Sequence, residues 1–130
     1  MKLGIFVLGL VLSLSAGAAS QIELVNVSHP GVTEDFLSYN FGTVFVNSRT
    51  SVRYNVRNTG DTPLNFQDAV IYGADFSANH SCRGTLLPGQ VCQFEVYYWP
   101  MFEGMASGRF QLTFVEDQIV LDLWGNARRM

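Results

Sequence analysis

The sequence predicts an all-β sandwich, and three observations carry that prediction. Short stretches of alternating apolar and polar residues recur along the chain with turn signals between them, and none shows helical period beyond the first 20 residues. Two cysteines, Cys82 and Cys92, bracket a Pro88-Gly89 turn. The second cysteine opens a strand whose parity is unambiguous: Cys92, Phe94, Val96 and Tyr98 alternate with Gln93, Glu95, Tyr97 and Trp99, and Pro100 closes the run.

The turn follows from its residues. Pro88 fixes φ near the value wanted at the second position of a type I or II turn, and Gly89 can adopt the positive φ that a type II turn needs next. Cys82 lies on the near side of this reversal, so the two α-carbons can come within disulfide range. Closing so short a loop stabilises a fold by roughly 3 kcal/mol on the chain-entropy account.

Taken in order, residues 1 to 20 read as a secretory leader. Lys2 supplies the positive start, Ile5 to Leu14 the apolar run, and Ala16-Gly17-Ala18 the small-residue cleavage pattern. Cleavage is expected after Ala18, with sites up to Ser20 as alternatives, leaving one domain from residue 19 to 130. The apolar run is shorter than the roughly 20 residues a spanning helix needs, so no membrane span is expected in the mature chain. Without Lys2, seven arginines face eleven acidic side chains. A mildly acidic domain with no basic cluster is a poor partner for nucleic acid. Cysteines exported together into an oxidising compartment are expected to pair.

Gln21 to Val27 reads as an edge strand with Ile22, Leu24 and Asn26 on one face. Residues 28 to 38 read as a loop with a short strand at its end. Asn40 to Val46 is a strand, turned by Asn47-Ser48. Thr50 to Asn58 puts Val52, Tyr54 and Val56 inward and Ser51, Arg53, Asn55 and Arg57 outward, and Asn58-Thr59-Gly60-Asp61 reverses it. Leu64 to Phe66 and Ala69 to Tyr72 are two short strands. Gly73 to Ser81 is expected to be a loop that delivers Cys82, and Met101 to Gly108 a connection. Arg109 to Val115 and Ile119 to Trp124 form a hairpin across Glu116-Asp117. The expectation is an immunoglobulin-like sandwich of about seven to nine antiparallel strands with one disulfide.

The stretch C-x-G-x-x-L-x-P-G-x-x-C, present as Cys82, Gly84, Leu87, Pro88, Gly89 and Cys92 and followed by Val96, Tyr98, Pro100 and Gly104, carries a family resemblance. With Phe41-Gly42, Asn58-Thr59-Gly60, Pro63-Leu64 and the Leu121 to Gly125 strand, the chain resembles the hydin/abnormal-spindle type of immunoglobulin-like domain. In secreted bacterial proteins such domains are termed choice-of-anchor D domains. The resemblance spans residues 40 to 127. It departs from the family at Tyr98, where phenylalanine is usual, and at Trp99, Met101 and Phe102, where small polar residues are usual. It implies a non-enzymatic interaction or structural module working in the periplasm or outside the cell.

Residues able to carry chemistry are sparse. His29 and His80 stand alone in segments read as polar loops, no metal-ligand spacing occurs, and no cofactor is implied. Glu34, Asp35, Asp61, Asp75, Glu103, Glu116 and Asp117 fall in expected turns. Asn26-Val27-Ser28 and Asn79-His80-Ser81 match the N-glycosylation acceptor pattern. Arg53 and Arg57 share an outer face that suits cross-strand pairing with acids. The aromatics are the strongest site signal: parity sends Tyr97, Trp99 and Trp124 away from the core, with Phe102 just beyond Pro100. They form either a contact surface or a patch covered by a neighbouring segment. Two binding classes follow, a protein partner held by strand addition or by the aromatic group, and a glycan or other small ligand held by the same rings.

Overall fold

The computed structural model describes residues 21–27 and 37–130. The leader expected over residues 1 to 18, and His29, Glu34 and Asp35, lie outside them. The described residues form nine strands in two packed sheets. The strands are β1 (Ile22–Asn26), β2 (Ser38–Phe45), β3 (Thr50–Asn58), β4 (Leu64–Tyr72), β5 (Phe76–His80), β6 (Thr85–Leu86), β7 (Val91–Tyr98), β8 (Gly104–Phe114) and β9 (Gln118–Arg128). One sheet runs β1-β3-β7-β5 and the other β2-β9-β8-β4-β6.

Parity does what the sequence requires of it. Val52, Tyr54 and Val56 of β3 and Cys92, Phe94, Val96 and Tyr98 of β7 are buried, facing Phe110, Leu112 and Phe114 of β8 and Ile119, Leu121 and Leu123 of β9. Tyr54 stacks on Phe94, and Phe94 meets Phe110 across the layer at 4.7 Å between ring centres. A second aromatic group, Phe41, Phe76 and Tyr98, fills the other half. It fits because Gly125 sits beneath Tyr98: a Cβ there would lie 2.3 Å from the ring.

Four expectations are corrected. Gly73 to Ser81 is not simply a loop, because Phe76–His80 pairs with β7 as an edge strand. The connection after Pro100 is short, since β8 begins at Gly104 rather than at Arg109. The two strands expected over residues 64 to 72 are one, interrupted by a register shift between Phe66 and Asp68. The strands are also not all antiparallel: β2 runs parallel to β9, with Tyr39 opposite Leu123 and Val44 opposite Ala127.

One buried side chain closes the near end of the sandwich. Asn58, with no exposed surface, accepts from Gly60 N–H at 2.9 Å and donates Nδ2 to the carbonyls of Thr62 (2.8 Å) and Leu86 (2.9 Å). Its backbone N–H donates to Gln90 C=O and its C=O accepts from Gly89 N–H. The Pro88-Gly89 reversal is therefore bonded to the end of β3, with Gly89 at φ +84° as the turn requires. Beside it, Cys82 and Cys92 are joined in a disulfide with α-carbons 5.1 Å apart.

Two predictions follow from these interiors. Asn58→Asp removes both donated bonds and buries a carboxylate. We expect a loss of about 3 kcal/mol at neutral pH, read by urea unfolding. Burial raises the folded pKa of the new carboxyl, so the deficit relative to wild type should be smaller at about pH 4 and grow as pH rises through the unfolded aspartate value. Asn58→Ala should show a deficit without that pH dependence. Conversely, the Tyr98 hydroxyl is buried with no hydrogen-bond partner among the described residues. Tyr98→Phe should leave stability unchanged or raise it by about 1 kcal/mol, and a clear loss would reveal a partner for the hydroxyl.

Candidate functional site

The aromatics singled out in the sequence divide between two surfaces. Tyr97 and Trp99 extend the outer face and end of the four-stranded sheet, and Phe102 projects from the β7–β8 connection. Trp124 lies on the outer face of the five-stranded sheet, opposite Ser107 of β8 and Asn40 of β2. The structure brings Tyr97 and Trp99 together under the Arg49 guanidinium, leaves Phe102 on the connection that follows them, and sets Trp124 apart on the other sheet.

Three chain segments meet at the pole that holds the first group. The β2–β3 turn brings Phe45 to Arg49, with Asn47 at φ +70° and Ser48 N–H bonded to Phe45 C=O. The β7–β8 connection is tied to it where Asn47 N–H donates to Pro100 C=O at 2.7 Å and Trp99 Nε1–H donates to Asn47 C=O at 3.3 Å. The end of β9 joins through Val46 N–H to Arg128 C=O. Arg129 adds a backbone bond and an ion pair to Glu103. Pro100 is buried, so the connection is held at both ends while Met101 and Phe102 between them face solvent. Phe102 is 77 % exposed and Met105, at the start of β8, 81 %. Phe45, Trp99 and Met130 are also exposed here.

Charge differs at this pole from the chain as a whole. Arg49, Arg128 and Arg129 stand with Glu103, whereas the chain carries a formal charge of −3. The Arg49 guanidinium lies 5.1 Å from the centre of the Tyr97 ring and 5.9 Å from that of Trp99, a cation–π contact with each. Arg49 was not legible as a site residue, because only the turn at Asn47 swings it over β7. Phe45 and Met130 escaped for a similar reason: their meeting depends on the parallel pairing of β2 with β9.

Behind Tyr97 a polar network occupies the same face. Glu95 accepts Ser51 Oγ at 2.8 Å, the Tyr97 hydroxyl at 2.9 Å and Arg53 at 3.4 Å. These bonds, led by the one from Ser51, hold the Glu95 carboxyl below its ordinary pKa, and the Tyr97 phenol, donating to that carboxylate, is held above its own. Arg53 thus meets the cross-strand acid its position suggested.

The remaining residues weighed in the sequence have structural work. His80 is not in a polar loop: it sits half-buried on β5 against Phe66, with Nδ1 accepting Cys82 N–H, and burial lowers its pKa. Glu116 binds the backbone and side chain of Asn65, and Asp117 accepts Gln21 N–H. Among the described residues no three His, Cys, Asp or Glu side chains are placed to hold a metal. No helix among them is long and apolar enough to cross a membrane. Of the two glycosylation patterns, Asn26 is buried at 2 % exposure and Asn79 lies exposed on β5.

Comparison with known proteins agrees with this architecture. The family model of the HYDIN/CFA65/VesB-like, Ig-like domain matches residues 31–124. Among solved structures, the VesB protease of Vibrio cholerae superimposes with a TM-score of 0.60 at 15% identity over 82% of this chain and 32% of its own. The secreted serine protease VesC of the same organism gives 0.55 at 17% identity, over 68% of this chain and 21% of its own. The ASH/PapD-like domain 7 of human CEP192 gives 0.56 at 13% identity, over 85% of this chain and 87% of its own. The chain thus spans about a third or less of the two proteases. No curated protein matches it.

The Glu95 network generates a pH prediction. A carboxyl whose folded pKa is depressed contributes stability that is present above its unfolded value and is lost as pH falls through the folded one. Glu95→Gln should therefore flatten the acid side of the melting profile between about pH 5 and about pH 3 relative to wild type. An unchanged slope would mean that the network leaves the carboxyl unperturbed.

Proposed function

Because the chain belongs to the HYDIN/CFA65/VesB-like Ig-like domain family, we propose that it is a non-catalytic interaction module, acting outside the cytoplasm and docking a protein partner on its apolar, arginine-flanked pole. The observation that carries this reading is the β7–β8 connection, fastened on both sides yet presenting Met101 and Phe102 to solvent. An aromatic held in place before binding loses little freedom on docking, which is the character of an interface anchor. The surrounding arginines suit a recess with an acidic rim.

Strand addition is less well supported. At the β5 edge, His80 N–H is taken by Asn79 Oδ1, His80 C=O by Arg83, and Phe76 N–H donates to Gly73 C=O. Such local capping blunts an edge against a further strand. Export is supported by the leader pattern of residues 1 to 18 and by a disulfide, which persists in oxidising compartments. A non-catalytic role is supported by the family and by the engagement of Glu95, Glu103, Glu116 and Asp122 in structural bonds. Protease activity belongs to relatives of which this domain spans a minor part.

A photo-crosslinking residue placed at position 102 should give one discrete protein adduct in the exported fraction of the producing cells. The same group at Val115, exposed at the opposite end of β8, should give none. Phe102→Ser should weaken capture at least about tenfold with an unchanged melting temperature. Equal adducts at both ends, or none at 102, would overturn the assignment. Phe102 is a cleaner probe than Trp99, whose bonds to Asn47 and Arg49 also support the fold.

A further inference from the structure

We propose that the trough between Tyr72 and Trp124, on the outer face of the five-stranded sheet, binds a neutral oligosaccharide. This surface is separate from the pole and goes beyond the docking role assigned to it. Tyr72 of β4 is the cross-strand neighbour of Arg109 on β8, Arg109 that of Asp122 on β9, and Trp124 that of Ser107. The two aromatics therefore stand on strands roughly 10 Å apart, with β8 running between them. Both are exposed, at 52 % and 41 %. Between them the floor is low, formed by Ser107 and Gly108, and the depression measures about 520 Å³, lined also by Arg109, Gln111 and Asp122.

The chemistry of these groups selects the ligand. A pyranose ring offers an apolar C–H face and a rim of hydroxyls, each both donor and acceptor. Aromatic walls suit the first. Arg109, Asp122 and Gln111 suit the second: the Arg109 Nε–Asp122 Oδ1 bond of 2.8 Å uses one donor and one acceptor and fixes the two side chains side by side. Further guanidinium N–H groups and carboxylate lone pairs remain for adjacent hydroxyls. Because the two charges compensate, the trough gives no net attraction to an ionic ligand. Gly108 is required by the interior, where a Cβ would meet Tyr72 O at 2.4 Å. Ser107 faces outward, and its small side chain leaves the trough open where a branched residue would suit a strand better.

Trp99→Phe leaves Trp124 as the sole tryptophan, so its emission reports on the trough. The purified protein would be titrated with maltohexaose, cellohexaose, chitohexaose and xylohexaose, and with a galacturonic acid hexamer as the acidic comparator. We expect saturable binding of at least one neutral hexamer with a shift in Trp124 emission. Calorimetry should show that binding weakened at least about tenfold by Trp124→Ala and by Ser107→Ile. Ser107→Ile fills the floor while keeping a good strand former, so it decides the matter if Trp124→Ala fails to fold. Absence of binding to all four neutral hexamers at about 5 mM overturns the proposal. So does binding of the acidic hexamer alone, or binding indifferent to both substitutions. The crosslinking at position 102 reads the other surface, so failure of one assignment leaves the other standing.

Discussion

Asn58 is the point on which the arrangement of this domain depends. Its five hydrogen bonds join the end of β3 to the turn that follows it, to the Pro88-Gly89 reversal and to β6. These segments are separated along the chain and short enough that none could hold its position alone. A fully buried amide is costly unless every polar atom is paired, and here pairing demands one placement of three carbonyls and two N–H groups. The disulfide lies beside this node and restrains the same reversal from the other side. Together they fix where β7 begins, and hence its register against β3 and β5.

With that register fixed, the interior dictates what the exterior can present. Tyr98 is buried because Cys92 is, and Tyr97 and Trp99 face out for the same reason. Across the layer, Gly125 lies under the Tyr98 ring, which obliges Trp124 to face the opposite way. The two tryptophans therefore end on opposite sheets by strand parity alone. Two separate surfaces, a pole and a trough, are a consequence of one well-packed aromatic interior.

The legible parts of the fold are those where local pattern and tertiary role coincide. β3, β7 and the β8–β9 hairpin alternate cleanly, and the Pro-Gly and Asn-x-Gly turns carry their own chemistry. What escaped is instructive. β5 reads as a loop because Phe76–His80 is short and half polar, and it becomes a strand by pairing with β7. The start of β8 reads as a connection because Gly104, Ala106, Ser107 and Gly108 are small. Gly108 is small because Phe76 and the Tyr72 carbonyl occupy the space a side chain would need. A glycine demanded by packing looks the same in a sequence as one demanded by a turn. The parallel pairing of β2 with β9 joins segments far apart along the chain, and no local pattern encodes it. The site was legible to the same extent: parity found Tyr97, Trp99 and Trp124 as outward residues, with Phe102 just beyond Pro100, but could not say which of them share a surface.

The exposed residues at the pole contrast with the way this domain treats its other liabilities. The β5 edge is capped by its own side chains and by Arg83, β2 is interrupted by a register shift after Asn40, and Glu103 and Glu116 accept from backbone N–H groups. Exposed apolar side chains occur elsewhere, at Leu87, Val91 and Val115, but Met101, Phe102 and Met105 lie close together in sequence, on and beside a connection bonded at both ends. Their neighbours Pro100 and Glu103 accept hydrogen bonds that hold the connection still, and Met101 and Phe102 stay in water. Rigidity that keeps apolar side chains in water works against the stability of the isolated domain. Such an arrangement is what the proposed docking role would require, since immobilised anchors favour association by reducing the freedom lost when a partner covers them.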